Sequence, residues 1–437
     1  MKKKTLILVL SLIISAACAV SAMAFPSVSG SNDRTPLSYS SGKQTVSGDG
    51  SVTADPVLGV TPDVHVQFKT GDGNLTDGFI SGGGWFNSPL DGFSGLKVRM
   101  EYGIGDISYR AYTEEHGWTR WAMNSMDTDW FNDAAKITAV QIRMKGHTAN
   151  TYDLYYRAKL NDGSATGWAM NGQSCGTIGT GKYIQQMEVK LWKKGITFPE
   201  NTSNHLLASS YEGVAFRADG TVTYSKADGT PYTGWAYDTG GDKYYFIDSN
   251  PVTGWQTIDG YKYYFDECCH VVTDLEPVMG NPGNFIAKVN KDMKTMTIYA
   301  ADESGNHTIP YKVFLCTIGN ATPVGDFKTF EKYNWKFMHD DIYVQYLQRY
   351  KNPGFCIHSI IYYPTEGSYM LRANSYNELG KNKSDGCIRL KSGDCAWFYQ
   401  NLSTGSTVII YSDEWVTGPF DRPCIEQAIP LAQNWDP

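Results

Sequence analysis

Past residue 24 the sequence has no apolar stretch of the roughly 20 residues that a membrane helix needs, so no span is expected once a leader is removed. Positive charge is also in short supply. Lys and Arg number 38 against 45 Asp and Glu, a formal net charge of −7, which argues against nucleic acid as a partner. Runs of Leu, Ala, Glu and Lys are scarce, so long amphipathic helices are not expected. The nine cysteines show neither a disulfide framework nor paired zinc-knuckle spacing, and no ligand cluster calls for a metal or cofactor. What the sequence does have is aromatic residues and turns. Trp, Tyr and Phe make up 14% of the chain, and 44 glycines accompany them. Short strands joined by turns fit that composition, so the fold class expected is mainly β.

The first residues read as an export signal. Lys2, Lys3 and Lys4 precede an apolar run from Leu6 to Val20, and Ala22-Met23-Ala24 supplies a small-residue cleavage site. Residues 1–24 are thus expected to be a signal peptide. Residues 25–56, rich in Ser, Gly, Thr and Asp, read as a flexible linker.

Residues 57–197 repeat internally. Ile107-Ser108-Tyr109-Arg110-Ala111 recurs as Leu154-Tyr155-Tyr156-Arg157-Ala158, and Gly117-Trp118 recurs as Gly167-Trp168. Each unit closes on an alternating strand, Val140–Met144 and then Met187–Leu191. Leu96–Met100 suggests a third unit containing Trp85. These units resemble the clostridial hydrophobic repeats of exported surface proteins. A second repeat fills 198–280. Gly234-Trp235 recurs as Gly254-Trp255, Tyr244-Tyr245-Phe246 recurs as Tyr263-Tyr264-Phe265, and a degenerate copy starts near Gly213. This period of about 20 residues resembles the choline-binding type of cell-wall repeat. The resemblance implies stacked β-hairpins whose Trp235, Trp255, Tyr244 and Tyr263 are candidates to hold a cell-wall polymer, be it choline, teichoic acid or glycan. A ring face attracts a quaternary ammonium, but copies this few are equally readable as a spacer.

Residues 281–412 carry the chemistry. Ile286 to Tyr299 and Ile309 to Cys316 alternate as strands around the turn 302–306. A cysteine attacks as thiolate and needs a histidine or cation beside it. Three histidines lie here: His307 in a turn, His339, and His358 at the end of an apolar strand. Cys387 follows Gly386 on a tight turn that would expose backbone amides, whereas Cys316, Cys356 and Cys395 sit in apolar runs and read as small core residues. On spacing alone, Cys387 with His358 is one pairing among several.

Three ordered segments add to that reading: Thr322-Pro323-Val324-Gly325-Asp326-Phe327, Ile357-His358-Ser359 and Ser384-Asp385-Gly386-Cys387-Ile388-Arg389. Together they resemble the L,D-transpeptidase (YkuD) catalytic domain. The resemblance implies a β-sandwich with a short helix near 394–401, and no metal or cofactor. It makes Cys387 the nucleophile, His358 its base, the Ser359 carbonyl the group that sets the imidazole tautomer, and the amides of Gly386 and Cys387 the oxyanion donors. Ser384, Asp385 and Arg389 are substrate-side candidates, and Arg389 reads equally as a brace. Two departures stand out. Asp385 replaces the family's usual histidine, and the long interval from Ile360 to Lys383 reads as an enlarged loop or flap. Residues 413–437 read as a tail packing on a domain.

The function implied is a secreted, wall-associated enzyme of a Gram-positive bacterium. It would form 3→3 cross-links between peptidoglycan stem peptides through a cysteine thioester. An L,D-carboxypeptidase and a surface-binding protein with an impaired catalytic domain are the competing readings.

Overall fold

The computed structural model describes residues 54–71, 73–75, 80–81, 86–87, 92–128, 135–208, 211–365, 368–415 and 418–437. The expected signal peptide, nearly all of the linker and Trp85 lie outside them. Among the described residues no helix is long and apolar enough to cross a membrane.

Three antiparallel strand pairs build the first module: Asp63–Lys69 with Gly95–Glu101, Asp106–Thr113 with Ala139–Lys145, and Tyr152–Leu160 with Ile184–Lys193. Alternation along each strand turns one face inward. Val64, Val66 and Phe68, then Ile107, Tyr109 and Ala111, then Leu154, Tyr156 and Ala158, meet in one core. The second and third pairs are copies offset by 47 positions. The Tyr109 hydroxyl donates to the Met126 carbonyl, and that of Tyr156 to the Gln173 carbonyl. The Ala111 amide donates to the Thr119 hydroxyl, and the Ala158 amide to that of Thr166. This register revises the tryptophan match. The counterpart of Trp168 is Trp121, not Trp118, because Ala122-Met123 and Ala169-Met170 pair with equivalent strands. Each equivalent Trp lies between two cations: Trp121 between Arg110 and Arg143, Trp168 between Arg157 and Lys190.

Three hairpins follow, Gly213–Phe216 with Val222–Ser225, Gly234–Tyr237 with Lys243–Ile247, and Gly254–Ile258 with Tyr261–Phe265. None buries its apolar face alone. Val214 and Tyr224 of the first share a cluster with Ala236, Tyr244 and Phe246 of the second, and Trp235 packs on the cluster of Tyr263 and Phe265.

The C-terminal module is a continuous sheet that changes direction at the strand Ile309–Thr317. Residues 309–315 pair with Thr295–Ala300, whereas Cys316 and Thr317 pair with Leu390 and Arg389. One half adds Ile286–Asn290, Thr407–Tyr411 and Gly325–Lys328. The other adds Ile388–Leu390, Phe355–Ser359, Tyr343–Lys351 and Glu331–Phe337. The helix Ser392–Asn401 buries Cys395 and Phe398 in the core. The stretch 286–299 is two strands, not one, because the chain turns at 291–294 with Lys294 at positive φ. Leu275, ahead of the expected boundary, is fully buried in this core.

The segment 360–383 is a packed insert instead of an open flap. Ile361–Thr365 pairs with Ser368–Leu371, the helix Ala373–Asn377 follows, and Ile360, Tyr362, Tyr376 and Leu379 share a cluster with Ile425, Ala428 and Ile429 of the tail. The tail also ties the modules together. Arg422 forms a buried ion pair with Asp106 and donates to the Gly380 carbonyl at 2.7 Å.

Candidate active site

Two neighbouring strands bring the site together. Phe355–Ser359 and Ile388–Leu390 run parallel, with Ile357 opposite Ile388 and His358 opposite Arg389. Cys387 stands one residue before the first rung, beside the strand that carries His358. The imidazole is 3% exposed. Its Nδ1 lies 2.6 Å from the Ser359 carbonyl, which can only accept, so Nδ1 carries a proton and Nε2 is the nitrogen left to take up or give a second one. Ser359 is fixed in turn: its hydroxyl accepts from the Gln345 amide at 2.8 Å and donates to the Ile360 carbonyl at 2.7 Å.

Cys387 is half-buried, and its thiol is influenced by His358 and by a second thiol, Cys356. The Cys387 thiol is held below the ordinary thiol range. A hydrogen bond from Cys356 contributes most; burial opposes it, and the His358 hydrogen bond and charge add to it. Cys356 moves the other way, raised by that same contact and then by burial. Neither role of Cys356 was apparent from its apolar run. A signal was present, since residues 356 and 358 of one strand share a face.

The turn at 384–387 is braced from three sides. The Ser384 hydroxyl donates to the Cys387 carbonyl at 2.6 Å and accepts from the Gly386 amide at 3.2 Å. Thr322, from the Thr-Pro-x-Gly-x-Phe segment, donates to the Gly386 carbonyl at 2.9 Å and accepts from the Gly319 amide at 3.0 Å. Gly386 has φ +136°, and a Cβ there would meet the Phe355 ring at 2.7 Å. Only glycine fits such a backbone against such a neighbour. Phe327 of the same segment packs edge-on against Tyr350.

Arg389 Nη1 donates to the Lys383 carbonyl at 2.8 Å, so it braces the turn, while its Nε is buried without a protein partner. Asp385 is exposed. Its charge acts on the Arg389 guanidinium, as does that of Cys387, and it is not among the leading influences on the thiol.

The repeat aromatics divide by position. Tyr244 and Tyr263 are buried, with the Tyr244 hydroxyl 2.9 Å from His270 Nε2. Trp235 carries the ammonium of Lys243 over its ring at 4.6 Å. Trp255 is 38% exposed, with Lys262 at 5.2 Å from its ring centre.

Comparison with known proteins places two parts of the chain beside known families. Residues 284–410 match the L,D-transpeptidase catalytic domain (YkuD), and residues 253–267 match a cell wall binding repeat of the choline-binding type. No curated protein matches. Among solved structures, an L,D-transpeptidase from Stackebrandtia nassauensis is 21% identical, over 30% of this chain and 55% of that one, with TM-score 0.22. L,D-transpeptidase 1 of Mycobacterium tuberculosis is 17% identical over 30% and 63%, with TM-score 0.22. One from Mycobacterium smegmatis is 16% identical over 46% and 100%, with TM-score 0.24. The chain spans 55% and 63% of the first two of these. Residues 284–410 are thus similar to the L,D-transpeptidase catalytic domain of the YkuD type, and a match to a cell-wall-binding repeat precedes them in the same chain.

Proposed function

We propose that the chain is an exported, wall-bound transpeptidase that cross-links peptidoglycan stem peptides through a thioester on Cys387. The observation that carries this reading is the Cys387 thiol beside an imidazole whose Nδ1 is committed to the Ser359 carbonyl. A thiolate so placed attacks the carbonyl of the third residue of a tetrapeptide stem. The tetrahedral oxyanion is stabilised by the Cys387 amide, and by the Gly386 amide once it exchanges Ser384 for substrate. His358 delivers a proton to the departing terminal D-Ala amine, leaving the acyl group on sulfur. A side-chain amine of a second stem then attacks the thioester, His358 takes its proton, and a 3→3 cross-link forms while the thiolate is regenerated. Water in place of the amine gives carboxypeptidation.

The unpartnered Arg389 Nε sits beside this chemistry and suits a carboxylate of the stem. In front of the domain, the partly exposed ring of Trp255 is a repeat surface open to a cationic or sugar group of the wall. The modules at 57–197 are read as a further wall-binding array of the clostridial hydrophobic type, and residues 1–24 as the signal that exports the chain.

Covalent labelling tests the nucleophile. Incubated with a carbapenem, the full chain is expected to gain one adduct, located on Cys387 and absent from Cys387→Ala. An unmodified Cys387 in a folded chain would favour the reading as a binding protein with an impaired catalytic domain. Retention on immobilised choline or on purified wall, compared between wild type and Trp255→Ala, tests the repeat.

A further inference from the structure

The second thiol extends the register of the site. Cys356 stands one residue before Ile357, and Cys387 one residue before Ile388, the first parallel rung of their strands. Continued by one position, that register sets the two cysteines opposite each other and on the same face. Neighbouring strands lie about 4.8 Å apart, inside the roughly 4.4–6.8 Å between Cα atoms that a disulfide spans. The two sulfurs converge on one acceptor: the Gly354 carbonyl lies 3.4 Å from Cys356 Sγ and 3.6 Å from Cys387 Sγ. Both side chains join the cluster of Val344 and Leu347. Cys356 is 1% exposed, so its nearest chemical partner is Cys387 rather than solvent.

From this we infer that Cys356 and Cys387 form a reversible disulfide, which caps the nucleophile under oxidising conditions and releases it to a dithiol. The inference rests on the reading of Cys387 as the nucleophile. The oxidant is a peroxide. The Cys387 thiolate attacks one peroxide oxygen, an S–O bond forms as the O–O bond breaks, and hydroxide leaves; sulfur is oxidised by two electrons and the peroxide is reduced. Cys356 then loses its proton to His358 and attacks the Cys387 sulfur. The S–S bond forms, the S–O bond breaks, and the departing hydroxide takes that proton back as water. Two thiols and one peroxide thus give one disulfide and two waters. Once Cys387 is a neutral sulfenic acid, the thiolate contact that chiefly holds the Cys356 proton is gone, which favours the second step. A neighbouring thiol also diverts the sulfenic acid from the further oxidation that is irreversible.

Hydrogen peroxide treatment of the full chain, followed by alkylation, digestion and mass spectrometry, tests this directly. The expected result is loss of two hydrogens, a Cys356–Cys387 linked peptide, loss of Cys387 alkylation, and recovery of both thiols with dithiothreitol. In Cys356→Ser, a Cys387 sulfenic acid should instead persist and be trapped by a 1,3-diketone. Sulfinic acid on wild-type Cys387, with Cys356 still alkylated after unfolding, would overturn the inference. The mapping needs no turnover. Carbapenem acylation of the reduced chain, measured alongside, reports on the nucleophile separately, so either reading can fail without the other.

Discussion

The Thr322 hydroxyl donates to the Gly386 carbonyl at 2.9 Å across 64 residues of chain, and so fixes the turn that presents Cys387. The same oxygen accepts the Gly319 amide. A Cβ on Gly319 would collide with the Ser384 carbonyl. The loop 319–322 and the turn at 384–387 therefore pack backbone against backbone, with Thr322 as the polar link between them.

Thr322→Val keeps the shape and removes both hydrogen bonds in a buried setting. Stability should fall by about 1–3 kcal/mol. Acylation of Cys387 should slow by about a hundredfold through misplacement of the thiol. Denaturant melts and carbapenem acylation kinetics measure the two separately. An unchanged acylation rate would remove Thr322 from the site's support.

The depressed Cys387 thiol sets the pH profile. The reactive form is the thiolate, and a lowered pKa keeps it populated as pH falls, so the acid limb of Cys387 alkylation should lie well below the pH of about 8.5 typical of a free cysteine. Cys356→Ala removes the largest stabilising contact and should move that limb to higher pH, slowing alkylation near neutrality. Alkylation rates between pH 4 and 10 decide this; a wild-type limb near 8.5 would contradict the geometry.

Arg422 joins the first module to the catalytic one through Asp106 and Gly380. Arg422→Ala should cost about 3–5 kcal/mol, since it leaves a buried carboxylate without its counter-charge. Burial pushes the Asp106 carboxyl up, but Arg422 outweighs it and the net shift is downward. The pair's stabilisation is therefore present above the ordinary carboxylate range of about 4 and is lost as pH falls through the lowered value. Melting temperatures of wild type and Arg422→Ala across pH 2–7 should converge at the acid end.

Local pattern made much of this legible and long-range packing hid the rest. Strand alternation located the strands at 96–100, 140–144 and 187–191, because each buries one face. The Cys387, His358 and Ser359 set was legible only through the three ordered motifs; spacing alone did not single out the pair. Trp121 was missed because a Gly-Trp match drew the eye to Trp118, three residues out of the structural register. The insert at 360–383 read as a loop since Tyr376 and Leu379 find their burial against Ile425 and Ile429 of the tail. Cys356 read as core, and it is buried, yet the register of its strand sets it opposite Cys387 in a pairing that no local pattern announces.

The most direct test is mass spectrometry of disaccharide-tetrapeptide incubated with the full chain, reduced wild type beside Cys387→Ala. The expected result is loss of D-Ala together with cross-linked dimers in the wild type alone. Loss of D-Ala without dimers would mean a carboxypeptidase. No change with folded wild-type chain would contradict the catalytic reading.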